Sequence, residues 1–165
     1  MLIPGMTAPD FNLSSTKGDI KLSDYKGKWV VLFFYPQDFS GVCSTEIPEF
    51  NKKLNDFKAL DAEVLGANTD SVYSHEAWIK ELGGIDYPLI SDYNKTMAES
   101  YEILLKDAGI ALRAAFIIDP EGKIRYSVVH EPAIGRNVDE ILRVLAALQS
   151  GGACPVNWQK GQATL

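Results

Sequence analysis

The fold is decided by residues 30–46, which read VVLFFYPQDFSGVCSTE. The first six are β-branched, aromatic or leucine and a proline closes them, which predicts a strand that is buried on both faces and ends at Tyr35. A turn-rich segment and a cysteine follow. Apolar residues then recur at three- and four-residue steps, which predicts a helix that begins near Ser44 or Thr45, continues to about Leu60 and packs on the sheet. Cys43 is therefore predicted to lie at a helix N-terminus.

A cysteine in this position has two interpretations. The thiolate is the nucleophilic form of cysteine, and the first turn of a helix offers unpaired N–H groups and partial positive charge. A reaction centre is therefore one interpretation. A small buried core residue, the commonest fate of a free cysteine, is the other.

The neighbours of Cys43 favour chemistry. Ser40, three residues earlier, is placed to bring a hydroxyl beside the sulfur, and Glu46 lies one helical turn later, where it is placed to fix an arginine over the site. Pro36 lacks an N–H and is expected to wall one side of the pocket. Each residue also has an ordinary structural role in a turn or in the first turn of a helix.

Length and composition describe an ordinary globular protein. The chain has 165 residues, enough for one domain, with 46% hydrophobic and 23% charged residues. Its net charge of −6 argues against nucleic acid or an anionic membrane as a partner. Residues 1–10 lack the basic and apolar regions of a signal peptide, and no apolar run is long enough for a bilayer. Cytoplasmic residence is expected.

The chain has two cysteines, Cys43 and Cys154, and two histidines, His75 and His130. Their spacing is neither that of a metal site nor that of a secreted disulfide framework, so no cofactor or metal is expected. In a reducing compartment a cysteine pair usually forms a transient, catalytic disulfide. A Cys–His hydrolase would need a histidine poised on Cys43, and only two exist to supply it.

The remaining pattern predicts an α/β, thioredoxin-like fold with a central mixed sheet flanked by helices. The domain is predicted to span residues 1–148, followed by a tail at 149–165. The predicted elements are an N-terminal hairpin within 9–22, strands at 63–68 and 89–90, helices at 74–82 and 94–101, a hairpin pairing 113–118 with 124–129, and a final helix at 138–148 with Asn137 as its N-cap.

The motif Pro36-x-x-x-Ser40-x-x-Cys43, with Thr45-Glu46, resembles the active-site signature of the peroxiredoxins, thiol peroxidases that reduce hydrogen peroxide and organic hydroperoxides. The resemblance covers nearly the whole chain. Its other segments are APDF at 8–11, DS at 70–71 with SHEAW at 74–78, FIID at 116–119, GRNVDE at 135–140 and CPVNW at 154–158. The last is specific to the typical 2-Cys subgroup, which includes the peroxidase component of alkyl hydroperoxide reductase.

The resemblance implies a role for each site residue. Cys43 would attack the peroxide and become a sulfenic acid, and Cys154 from the partner subunit of a homodimer would resolve it to a disulfide. A thiol of ordinary pKa is about 3% ionised at pH 7, so full ionisation raises the rate by roughly 30-fold at most. Fixed donors must therefore also stabilise the departing oxygen. Arg113 matches the family's donor, and the resemblance implies that Arg136 pairs with Glu46.

Thioredoxin or a flavoprotein disulfide reductase would then reduce the disulfide. This chain departs from the family pattern in having Ser40 in place of threonine, and Gly41 and Ser44 in place of a bulkier residue and a proline. The last two changes are expected to loosen the loop and the contact between dimers, so a dimer is expected before a decamer. Gly83-Gly84-Ile85 only partly matches the family's glycine motif, and the chain stops at Leu165 without the Tyr-Phe helix, which predicts resistance to overoxidation.

Two other functional classes share these features. A thioredoxin-type disulfide oxidoreductase has the same fold, but it needs Cys-x-x-Cys and position 46 holds glutamate. A non-catalytic chaperone or holdase ring is the other alternative. Dithiothreitol-dependent peroxide consumption that is lost in Cys43→Ser separates a peroxidase from both.

Overall fold

A mixed seven-stranded sheet forms the centre of the computed structural model, which describes residues 2–165. The strands, including those of a separate two-stranded hairpin, are β1 Asn12–Ser15, β2 Gly18–Lys21, β3 Trp29–Phe34, β4 Ala62–Asn68, β5 Leu89–Ser91, β6 Leu104–Leu105, β7 Ile110–Ala111, β8 Arg113–Ile118 and β9 Ile124–His130. The main sheet has the order β2-β1-β5-β4-β3-β8-β9. β3 runs parallel to β4 and antiparallel to β8, so the predicted mixed sheet is confirmed.

Helices cover the sheet on both faces. They are α1 Cys43–Lys52, α2 Leu54–Ala59, α3 Val72–Glu81, α4 Thr96–Ser100 and α5 Val138–Ser150, with a short 3-10 helix at Leu22–Tyr25. The prediction of one helix from about residue 44 to 60 is wrong, because the helix breaks at Lys53, where ψ is 4°. The apolar stripe continues through the break, since Phe50, Leu54 and Phe57 are all buried. Periodicity alone therefore could not reveal it.

β3 is the strand that divides the core. All of its residues from Val30 onward are fully buried, as predicted for a strand covered on both faces. Because side chains alternate along a strand, Leu32 and Phe34 join one apolar cluster and Phe33 and Tyr35 the other. Cys43 belongs to the second cluster. The start of α1 is thus packed on the same face as α5.

The N-terminal hairpin extends the main sheet. β1 pairs with β2 along its whole length and joins β5 through Ser15 and Ile90. The hairpin of residues 113–118 and 124–129 is confirmed as β8 and β9, with a bulge between Ile117 and Ile118. β6, β7 and the 3-10 helix were not predicted; β6 and β7 have two residues each, too few to show a periodicity.

α5 begins at the predicted residue and ends at Ser150, two residues beyond the predicted end. The side chain of Asn137 accepts a hydrogen bond from the Glu140 backbone N–H, and Gly151 ends the helix in the left-handed region at φ 72°. The following tail folds back on the helix. Trp158 is buried, and Arg143 Nη1 donates to its carbonyl oxygen at 3.1 Å. Within residues 2–165, no helix combines the length and apolarity that crossing a membrane requires.

Candidate active site

Cys43 is the first residue of α1 and follows the loop that leaves β3. The loop places the thiol over the end of the central strand, which is where α/β folds commonly carry their reaction centres. The side chain has no solvent exposure. A reactant can reach the sulfur only when the groups around it move.

Arg113 lies beside the sulfur. It is the first residue of β8, two strand positions before Ala115, which pairs with Phe33 of β3. Its Nη1 atom donates to Cys43 Sγ at 3.2 Å and to Glu46 Oε2 at 2.8 Å, and its Nε atom donates to the Pro132 carbonyl at 2.7 Å. The guanidinium is therefore fixed from two directions and presents its positive charge to the sulfur.

Arg136 and Glu46 form a buried ion pair behind the thiol. Arg136 donates to Glu46 from its backbone N–H, Nε and Nη2 at 2.6–2.9 Å. Its Nη1 donates to the carbonyls of Phe34 and Ala114. The pairing inferred from the resemblance is present in the structure, and the side chain is buried, not solvated. These contacts join α1, β3, β8 and the start of α5.

Glu46 is held in its ionised form. Burial alone would raise the pKa of its carboxyl group, but the hydrogen bonds and charge of Arg136, with the charge of Arg113, outweigh burial and lower the pKa. Each carboxylate oxygen accepts two hydrogen bonds. All four come from arginine, three from guanidinium groups and one from the Arg136 backbone N–H. The carboxylate thereby fixes both guanidinium groups in place.

Ser40 contributes a free hydroxyl to the loop before Cys43. Within residues 2–165, Ser40 Oγ is buried and has no hydrogen-bond partner, whereas its carbonyl accepts from the Ser44 N–H and hydroxyl at 2.9 and 2.8 Å. A buried hydroxyl without a partner costs about 1–3 kcal/mol, so it is available to an incoming ligand. Pro36 is buried at the start of the same loop. Ser44 fixes the loop through its two hydrogen bonds to the Ser40 carbonyl. The effect of Ser44 and Gly41 on assembly stays a prediction.

Cys154 lies far from this constellation. Its Sγ is 3.8 Å from the Ala147 carbonyl and 3.4 Å from Ser150 Oγ, in the last turn of α5. Arg136, which contacts the Cys43 site, precedes the first turn of the same helix. At 1.5 Å per residue, the two ends are about 15–20 Å apart. Both cysteines are free thiols.

Sequence reasoning missed two features of the site. The Pro132 carbonyl that holds Arg113 Nε is a backbone contact from a loop, and no residue type signals it. Asp38 was not singled out, and the buried contacts that it makes depend on a fold that brings residues 30 or more positions apart together. Tyr35 and Trp78 are both buried packing residues whose ring centroids lie 5.8 Å apart. Residues 2–165 contain no cluster of three or more side chains suited to hold a metal.

Comparisons with known proteins agree with this geometry. The AhpC/TSA family model matches residues 4–127. A Clostridium pasteurianum protein, named for the rubredoxin operon and provisionally described as a peroxiredoxin, is 49% identical over 98% of this chain and 97% of its own. The chloroplastic 2-Cys peroxiredoxin BAS1 of Spinacia oleracea is 46% identical over 98% of this chain and 66% of its own.

Solved structures place the fold in the same group. The reduced 2-Cys peroxiredoxin of Plasmodium vivax superposes with a TM-score of 0.92 at 39% identity, covering 98% of this chain and 91% of that one. A thioredoxin-fold thiol enzyme is thus the class that fold and site define. The chain belongs to the AhpC/TSA family, the peroxiredoxins. It is a thiol peroxidase, with peroxides as substrates and a thiol reductant as partner.

Proposed function

We propose that Cys43 is the residue that attacks the peroxide and that Arg113 stabilises the charge that leaves with the departing oxygen. The observation that carries the proposal is the 3.2 Å contact between Arg113 Nη1 and Cys43 Sγ. The guanidinium is immobilised by Glu46 and Pro132, so little reorganisation is needed during reaction. The substrates are hydrogen peroxide and alkyl hydroperoxides.

The first step is a displacement on oxygen. The Cys43 thiolate attacks the terminal peroxide oxygen, an S–O bond forms and the O–O bond breaks with its electron pair moving to the leaving oxygen. That oxygen takes up a proton and leaves as water or an alcohol, and Cys43 becomes a sulfenic acid. Ser40 Oγ, buried without a partner among the described residues, supplies a hydroxyl that orients the peroxide. Pro36 walls the pocket, and Glu46 with Arg136 positions Arg113.

The second step is resolution by Cys154. Its thiolate attacks the sulfenic sulfur, an S–S bond forms and hydroxide leaves, taking a proton to give water. A disulfide requires Cα atoms within about 7 Å. Within one protomer the two cysteines lie near opposite ends of α5. This separation and the resemblance to 2-Cys peroxiredoxins both support a resolving thiol from the partner subunit of a homodimer. A thioredoxin-like dithiol or a flavoprotein disulfide reductase then restores both thiols.

Assembly and location form part of the same proposal. The protein works as a homodimer, which the intersubunit disulfide requires, and a decamer of five dimers is the larger assembly to test. It acts in the cytoplasm, where the thiol pool maintains cysteines between turnovers. The domain of residues 1–148 carries Cys43, and the tail of 149–165 carries Cys154.

Peroxide consumption with dithiothreitol tests the first step. The wild-type protein is expected to consume peroxide with multiple turnovers. The Cys43→Ser variant is expected to show no protein-dependent peroxide consumption. Turnover that survives in Cys43→Ser would overturn the assignment. Cys154→Ser is the matched control, since it removes the other thiol and is expected to form one sulfenic acid per chain.

Non-reducing electrophoresis after one equivalent of peroxide tests the second step. Wild type is expected to give a covalent dimer, which Cys43→Ser and Cys154→Ser each abolish. Mixing the two variants restores a dimer with one disulfide if the subunits exchange. A monomeric oxidised wild type, or a covalent dimer in Cys154→Ser, contradicts an intersubunit Cys43–Cys154 bond.

A further inference from the structure

Asp38 lies in the loop between β3 and α1 and is 4% exposed, although it carries a carboxylate. Four side chains converge on it. Oδ1 accepts from Tyr35 Oη at 2.9 Å and Asn68 Nδ2 at 3.0 Å, and Oδ2 accepts from Ser74 Oγ at 2.8 Å and lies 2.7 Å from His75 Nδ1. The peroxide chemistry proposed above uses none of these groups.

His75 has acceptors on both sides. Nδ1 faces the Asp38 carboxylate, and Nε2 lies 3.2 Å from the Ile90 carbonyl, which can only accept. Because the Ile90 carbonyl can only accept, Nε2 carries a hydrogen that it donates there, and a second hydrogen lies in the contact between Nδ1 and Asp38 Oδ2. The ring has no solvent exposure.

The backbone around Asp38 is also held under constraint. Its N–H donates to Asp70 Oδ2 at 2.8 Å, and Asp70 is in turn fixed by Asn68. The next residue, Phe39, has a left-handed φ of 56°, a conformation that costs energy for a side chain with a Cβ. Ser40 follows directly, and its hydroxyl is buried without a partner in residues 2–165. Strained backbone of this kind persists only where neighbouring contacts fix it.

We infer that Asp38, clamped by His75, Ser74, Tyr35 and Asn68, is the positioning residue that holds the loop of residues 36–42 so that Ser40 and Cys43 face Arg113. The clamp ties the loop to the end of β4 and to α3, neither of which contributes a residue to the proposed peroxide site. Disulfide formation requires Cys43 to leave its buried site, so the same clamp opposes the second step. The inference rests on the proposed function. It adds a residue that favours the reaction of Cys43 with peroxide and slows the reaction of Cys43 with Cys154.

Hydrogen exchange tests the clamp without reference to catalysis. In Asp38→Asn, an amide N–H₂ group replaces one carboxylate oxygen and therefore faces two of the four side chains that bind Asp38. Amides of residues 39–46 are expected to exchange at least tenfold faster than in wild type, with β9 and α5 unchanged. Exchange within twofold of wild type, or acceleration spread equally over the whole chain, overturns the inference.

A milder pair of variants covers the case in which Asp38→Asn does not fold. Tyr35→Phe removes only the hydroxyl that donates to Asp38, and the same local acceleration is expected on a smaller scale, about threefold or more. Tyr101→Phe is the matched control, because this buried tyrosine donates to the distant Pro9 carbonyl. Equal exchange in the two phenylalanine variants also overturns the inference.

Kinetics distinguish positioning from a general loss of structure. In the folded variants, the rate of sulfenic acid formation at Cys43 is expected to fall several-fold, whereas the rate of disulfide formation with Cys154 rises. A purely structural role would slow both steps, and that result contradicts the proposal. If wild-type Cys43 does not react with peroxide, the proposed function fails by itself, while the exchange experiment still decides whether the clamp exists.

Discussion

Glu46→Gln is the substitution that most directly probes the buried charge network. Each oxygen of Glu46 accepts two hydrogen bonds, one pair from the Arg136 N–H and Nε and the other from Nη atoms of Arg113 and Arg136. A glutamine in either orientation therefore turns an N–H₂ group toward two donors and leaves two guanidinium groups without their counter-charge. Removing one partner of a buried ion pair costs about 3–5 kcal/mol.

Urea unfolding at neutral pH measures this loss. Glu49→Gln is the matched control, since Glu49 lies on the same helix but pairs with Lys52 at the surface, where the two side chains are 38% and 74% exposed. Its cost is expected to stay below about 1 kcal/mol. Free energies of unfolding that differ by less than about 1 kcal/mol between the two variants would refute the reasoning.

The pH dependence has a definite sign. Because the folded-state pKa of Glu46 is lowered, its contribution is fully present above the unfolded-state pKa of about 4.3 and is lost as the pH falls through the folded value. The difference in unfolding free energy between wild type and Glu46→Gln is therefore expected to be constant from pH 7 to about pH 5 and to shrink at lower pH. A difference that grows on acidification contradicts the lowered pKa.

Three further substitutions test the packing, capping and charge arguments. Gly66→Ala would place a Cβ 2.8 Å from Leu89 Cδ2 and 2.9 Å from Phe33 Cζ. We expect the free energy of unfolding in urea to fall by about 1–3 kcal/mol. An unchanged free energy of unfolding would show that the neighbouring side chains move to make room. Asn137→Ala removes the cap of α5 and is expected to cost about 1 kcal/mol, with Asn137→Ser restoring most of it. Arg136→Lys cannot reproduce the planar fork that reaches Glu46 and two carbonyls, so we expect a loss of about 3 kcal/mol and slower peroxide reduction; wild-type behaviour would show that a point charge is enough.

Much of the fold could be predicted because its signals are local. The apolar run of β3, the stripe of α5 and the Asn137 cap each lie within one segment of sequence, and all three were found in the structure. The break at Lys53 was not predictable, because the apolar spacing continues through it. The short strands β6 and β7 were missed because two residues carry no period.

The site was predictable to the extent that the resemblance supplied its residues. Composition and spacing alone did not decide whether Cys43 is a core residue or a reactive one. Only the resemblance added Arg113 and Arg136, which lie in distant segments of the sequence. The contacts that fix these groups depend on tertiary structure. Neither the Pro132 carbonyl beside Arg113 nor the donors around Asp38 has a signature in the sequence, because each contact arises only when separate elements meet.

The most direct test of the central claim is the rate of the first step in Arg113→Lys. Sulfenic acid formation at Cys43 can be followed by rapid mixing with hydrogen peroxide and trapping for mass spectrometry. Arg125→Lys is the control, since Arg125 is half exposed and pairs with Asp119, away from Cys43. Loss of one preorganised donor is expected to slow the reaction about a hundredfold, with the control unchanged. A folded Arg113→Lys that reacts within threefold of wild type would contradict the claim that this guanidinium stabilises the departing oxygen.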